Sequence, residues 1–142
     1  MYDQSLREVM DQRRLLKAPP TTTVHKAAQL MQSKTVGAVM VVERGRLLGI
    51  FTERDAVFRV IAGGLSPATT PLSEVMTPAP ITLGPDACFG TALALMHKNG
   101  FRHVPVVEDG KLVGVVMARQ ALDPDMEDFI AEARRREHFA DA

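Results

Sequence analysis

Residues 30–57 lie over residues 95–122 without a gap, at an offset of 65 positions, and eleven of the 28 aligned residues are identical. Chance would supply about two, so the chain carries one supersecondary unit twice. This constrains the fold more than any other feature, because whatever one copy forms, the other is expected to form. Neither copy stands comfortably alone, since about 60 residues bury too little apolar surface to offset their ordering entropy.

The hydrophobic period changes in the same order within each copy. Val24, Ala27, Ala28 and Met31 recur at helical spacing, and Phe89, Ala92, Leu93 and Met96 repeat them. Two β-branched runs follow, Val36 to Val42 and Leu47 to Phe51, with counterparts at Val104 to Val107 and Leu112 to Val116. They are split by Glu43-Arg44-Gly45-Arg46 and Glu108-Asp109-Gly110-Lys111, where Gly at the third place suits a hairpin turn of positive φ. A second helix is expected from Glu53 to Ala62, stopped by Gly63-Gly64, and its counterpart from Arg119 is cut short by Pro124.

Residues 125–139 predict a further helix, with acids first, arginines later and an apolar stripe of Met126, Phe129, Ile130 and Ala133. That stripe fits either its own domain or a dimer contact. The expected class is α+β: two tandem β-α-β-β-α repeats, 1–66 and 67–142, packed sheet to sheet about a pseudo-twofold axis. Such packing leaves two related clefts where hairpin strands meet the following helix.

Seventeen basic residues balance seventeen acidic ones, so no global field steers the chain toward nucleic acid or an anionic membrane. The N-terminus lacks the apolar stretch of a signal peptide, and no run approaches the roughly 20 apolar residues that span a bilayer. A single cysteine, Cys88, excludes an internal disulfide and fits a reducing compartment, so the expected location is the cytoplasm. Cys88 sits at a helix start, where it serves either as a small cap residue or as an activated thiol. His97, His103 and Cys88 recur at no metal spacing, and neither a phosphate-loop glycine motif nor a nucleophile-base pair is present, so no metal and no catalysis are expected.

The segment GIFTERD, 49–55, places Thr52 and Asp55 at i, i+3 on a strand-to-helix junction. Such a pair forms a capping box. It also holds two acceptor oxygens for a vicinal diol beside the free N–H groups of a helix start. In the second copy Met117 and Gln120 replace Thr52 and Asp55, so the cap is expected to be lost there and the second cleft to be empty or differently selective.

The order of elements, VM at 9–10 and again in VMTPAP at 75–80, and the Gly-x-x-Thr-x-x-Asp segment together resemble the cystathionine β-synthase (CBS) domain pair, over roughly Val9 to Leu122. With no catalytic or transport domain attached, the chain looks like a stand-alone CBS protein. The resemblance implies a regulatory, energy-sensing signal-transduction module and not an enzyme. It binds an adenosine compound such as AMP, ATP, NAD or S-adenosylmethionine, AMP or ATP foremost, and works as a homodimer of pairs that modulates an unidentified protein. It further implies Asp55 on the ribose, Thr52 on ribose or phosphate, and Gly37, Ala38, Ile81, Thr82 and Ala92 around the base. Arg54, Arg102 and His103 are the implied phosphate contacts. For Ala92 the plain alternative is helix-sheet packing, and for Arg102 and His103 a solvated or dimer-facing edge. The alternative for the whole chain is a ligand-free dimeric scaffold with decayed clefts.

Overall fold

The computed structural model describes residues 1–122 together with Ala133, Arg135 and Arg136. The expected helix over 125–139 lies outside the described residues apart from those three, which are helical.

The first copy runs α1 (Leu6–Val9), β1 (Lys17–Ala18), α2 (Val24–Lys34), β2 (Ala38–Glu43), β3 (Arg46–Thr52) and α3 (Glu53–Asp55). The second runs α4 (Leu72–Val75), β4 (Thr77–Pro78), α5 (Phe89–Asn99), β5 (His103–Glu108) and β6 (Lys111–Met117), ending in a 3₁₀ turn over Ala118–Ala121. The expected second helix of copy one is α for three residues only. It then widens into a π-helical segment, Ala56–Ile61, whose i+5 bonding continues from the Ala62 N–H to the Val57 carbonyl at 2.9 Å and from the Leu65 N–H to the Val60 carbonyl at 3.0 Å.

The hairpins match in detail. Both turns place two residues at positive φ, Arg44-Gly45 and Asp109-Gly110, and both ladders shift register at equivalent points, Val41/Val42 and Val106/Val107. β1 pairs in parallel with β2, Ala18 opposite Val41, and 65 residues on the same register survives as one bridge between Leu83 and Val106. The counterpart of the Lys17–Met40 pair is missing, because Pro105 stands where Met40 donates its N–H to the Leu16 carbonyl at 2.8 Å, and proline has no N–H to give.

Alternation along β2 sorts its side chains onto two cores. Val39 and Val41 join Ala27, Met31, Phe51 and Val60 under α2, whereas Ala38 and Met40 meet Ile50, Leu112 and Val115 between the sheets. The two repeats therefore pack sheet to sheet. They are also interlocked, since the first short helix of each copy docks on the other. Leu6 of α1 is fully buried with Phe89, Ala92 and Val116, and Leu72 and Val75 of α4 are buried with Val39 and Phe51.

The methionine after each short helix explains the paired strand glycines. A Cβ on Gly114 would lie 2.6 Å from Met10 Sδ, and one on Gly49 would collide with Met76 Sδ and stand 2.8 Å from the Thr77 carbonyl oxygen. The strand segments behind these methionines follow suit: β4 pairs antiparallel with β3, and the Asp11 N–H reaches the Val115 carbonyl at 3.1 Å.

Candidate functional site

Each hairpin ends where its second strand turns into the next helix, and the turn is fixed by a backbone bond to the residue before the first strand. The Glu53 N–H donates to the Gly37 carbonyl at 3.1 Å, and the Ala118 N–H to the Arg102 carbonyl at 2.9 Å. Two clefts open on either side of this centre. The first, of about 830 Å³, is lined by Gly37, Ile50, Thr52 to Asp55 and Arg59, with Thr77, Ala79 to Ile81 and Asn99 to His103 from beyond the first copy. The second, of about 1050 Å³, lies between Met117, Ala118 and Arg119 on one side and Arg14, Gln32, Thr35 and Val36 on the other.

In the first cleft the Thr52–Asp55 box is complete. The Asp55 N–H donates to Thr52 Oγ1 at 3.3 Å, while Asp55 Oδ2 accepts from the Thr52 N–H at 2.9 Å and from the Thr52 hydroxyl at 3.1 Å. Asp55 Oδ1 faces Arg59 Nε at 3.4 Å, one helical turn on. Arg59 in turn donates through Nη1 to the carbonyls of Val75 and Met76, at 3.3 and 3.1 Å, fastening the end of α4. An ionised carboxylate offers about four acceptor sites, so Oδ1 keeps capacity for one more donor.

The second copy corrects the expectation that its cap is lost. Gln120 Oε1 accepts from the Met117 N–H at 2.7 Å, the same reach-back bond that Asp55 makes. Its Nε2 donates to the Val9 carbonyl at 2.7 Å, at the end of α1. One amide thus does what Asp55 and Arg59 share in the first copy. Both its ends are engaged, which is the physical reason it offers a diol less than Asp55 does.

Seven of the ten expected residues come together in the first cleft: Gly37, Thr52, Arg54, Asp55, Ile81, Arg102 and His103. The basic pair from copy two and the Thr–Asp pair from copy one therefore share a cavity. The other three stand elsewhere. Ala38 is buried between the sheets, Ala92 is buried on the core face of α5 beside Leu6, and Thr82 is exposed outside the lining. The α5 contribution comes instead from its C-terminal end, Asn99 and Gly100, and from Phe101.

Charge in the cleft is mixed. The Arg54 guanidinium stands 5.4 Å from the Phe58 ring centroid, and Glu53 and Asp55 supply two carboxylates against Arg54, Arg59 and Arg102. Burial holds the His103 imidazole below its ordinary pKa, and neighbouring Arg102 lowers it further. His103 is therefore a neutral donor or acceptor at pH 7 until an anion arrives. Glu53 and Arg59 were not singled out from the sequence, although Arg59 lies four residues beyond Asp55, where an ion pair is readable. Among the described residues no three His, Cys, Asp or Glu side chains gather as a metal site, and no helix is long and apolar enough to cross a membrane.

Two hairpin-helix repeats exchanging their first helices, with paired clefts at the strand ends, define a CBS pair. The CBS domain family model matches residues 6–62 and 72–124, and the chain belongs to that family. The CBS domain-containing protein YhcV of Bacillus subtilis is 39% identical over 97 residues, 68% of this chain and 69% of its own length. An uncharacterized conserved protein from Pyrococcus horikoshii superposes with a TM-score of 0.78 at 30% identity, covering 86% of this chain and 92% of that one. The CBS domain protein PAE2072 from Pyrobaculum aerophilum, solved in complex with AMP, gives 0.77 at 25% identity, over 91% of this chain and 99% of that one.

Proposed function

We propose that this chain is a cytoplasmic regulatory module that binds an adenosine-containing nucleotide, AMP or ATP foremost, in the first cleft. One observation carries the reading: the Thr52–Asp55 pair of one repeat and the Arg102–His103 pair of the other line the same cavity, about 830 Å³, within the range of ligand pockets. Asp55 Oδ1 accepts a ribose hydroxyl. Arg54, Arg102 and His103 meet the phosphates through charge-assisted bonds, and Ile50, Ile81 and Phe101 supply apolar contact for the base. Such a ligand ties the two repeats together. It biases the module toward the arrangement that brings both pairs to one cleft, by as much as it binds that arrangement better.

The AMP complex of the Pyrobaculum relative supports the ligand class. The output is a change in how the module meets a partner, a homodimer mate or a regulated protein. A contiguous apolar face on the π segment supports that surface, with Val57 49%, Phe58 60% and Ile61 72% exposed. The same face would serve a ligand-free scaffold, so ligand binding is the deciding property. Thermal unfolding is measured with AMP, ADP, ATP, NAD and S-adenosylmethionine. Ligand at 100 times its dissociation constant adds about 2.7 kcal/mol, several degrees for a chain of this size. No shift with any of them at millimolar concentration leaves the scaffold reading.

A further inference from the structure

The two clefts do not have separate floors. Gly37, Glu53, Arg102 and His103 line both of them. A symmetric duplication would place one base at the mouth of each cleft, at positions 37 and 102. Here the base survives on one side alone: Arg102 faces Ala118 across the turn, whereas Gly37 faces Glu53. The Glu53 carboxylate occupies the space a side chain at position 37 would need, with Oε1 3.4 Å from an ideal Cβ there.

The other arginines are not shared between the clefts. Arg54 and Arg59 line the first alone, Arg59 being held by Asp55 and by the Val75 and Met76 carbonyls, and Arg14 and Arg119 line the second alone, Arg14 facing Asp11 at 3.6 Å. The centre thus carries one cationic residue, one imidazole and one carboxylate for two clefts.

We propose that the pair has a single phosphate-binding centre, so that its two clefts are mutually exclusive for polyanions and the chain holds one phosphate chain at a time. A phosphate in the first cleft takes the Arg102 and His103 donors. A second polyanion in the neighbouring cleft then finds those donors used, the first anion nearby and the Glu53 carboxylate beside it. The proposal rests on the nucleotide reading of the first cleft and adds stoichiometry and competition to it.

Isothermal titration of the full chain tests it with two probes, ATP and inorganic tripolyphosphate, which needs no diol and has access to either cleft. One ATP and one tripolyphosphate per chain are expected, and saturating ATP removes all tripolyphosphate binding. The double variant Gly37→Arg, Glu53→Ala gives the centre its second base and opens the space for it, and is expected to raise tripolyphosphate stoichiometry to two. Two tripolyphosphates on the unaltered chain, tripolyphosphate binding that persists on ATP-loaded protein, no tripolyphosphate binding at all, or a folded double variant that stays at one each overturn the shared centre. Failure of ATP to bind is a different result, because it removes the nucleotide reading itself.

Discussion

Asp55 has two jobs in this account, and two substitutions separate them. Asp55→Ala deletes the acceptor for the Thr52 N–H and hydroxyl and unpairs Arg59. The Thr52 cap on the N–H of residue 55 survives, but the half-buried Thr52 N–H left without a partner costs about 1–2 kcal/mol, and the half-exposed ion pair at most about 0.5 kcal/mol. The expected destabilisation is about 2 kcal/mol, or roughly 4–8 °C in Tm for a chain of this size. Asp55→Asn keeps an oxygen in the same place. Gln120 already shows that an amide makes the reach-back bond, at 2.7 Å to the Met117 N–H. Asn therefore costs about 0.5 kcal/mol, chiefly the Arg59 pair. It nevertheless loses the charged acceptor, and hydrogen bonds to charged groups contribute about 1.5–3 kcal/mol, so nucleotide affinity falls by roughly 10- to 100-fold. Urea unfolding and calorimetric titration on the three proteins check both halves. An Asn variant as unstable as the Ala variant contradicts the division of roles, and an Asn variant with undiminished affinity refutes the ribose contact.

His103 sets a pH dependence with a definite sign. Its folded pKa lies below 6.5, so as pH falls through that value the unfolded chain takes up a proton first. This group's contribution then makes stability decline down to the folded pKa, and His103→Gln flattens the slope of urea stability against pH. Over the same window nucleotide affinity rises as pH falls, because a bound phosphate favours the imidazolium; affinity independent of pH places the phosphates away from His103. Gly49→Ala is expected to destabilise by about 1–3 kcal/mol by overpacking against Met76 and the Thr77 carbonyl, read as a lower urea midpoint at unchanged slope. Thr35 caps α2 at φ 56°, where its counterpart is Gly100 at φ 76°. A β-branched residue there costs about 1–2 kcal/mol, and Thr35→Gly, after its own entropic cost, is expected to stabilise by about 0.5 kcal/mol in the same assay.

The parts of this molecule that repeat are the parts its sequence discloses. Period and turn chemistry were enough for α2, α5, the hairpins and their face-to-face packing, because each was stated twice at an offset of 65, but not for the helix after each hairpin, which is mostly π in copy one and a 3₁₀ turn in copy two. The glycine pair Gly49 and Gly114 was visible as an identity, but its cause was not. Met10 and Met76 reach those strands from four-residue helices too short to show a period, docked on the opposite copy.

The same exchange hid the role of Gln120, whose acceptor Val9 is 111 residues away. Reading Gln120 as a lost cap followed from matching residue types and not functions, since an amide accepts as an acid does and donates besides. Ala92 teaches a different lesson. It shares its helix stripe with Phe89 and Met96, both core residues, so its periodicity already pointed to the core, and the family resemblance drew it toward the cleft instead.

The central claim is that a nucleotide spans the repeats in the cleft that contains Asp55. Titration of isotopically labelled protein with AMP, followed by backbone amide chemical shifts, tests it residue by residue. The account predicts saturable shifts at Thr52 to Asp55 together with Gly100 to His103, and small ones at Arg119 and Gln120. Shifts concentrated at Met117 to Gln120, or none at millimolar AMP, contradict it.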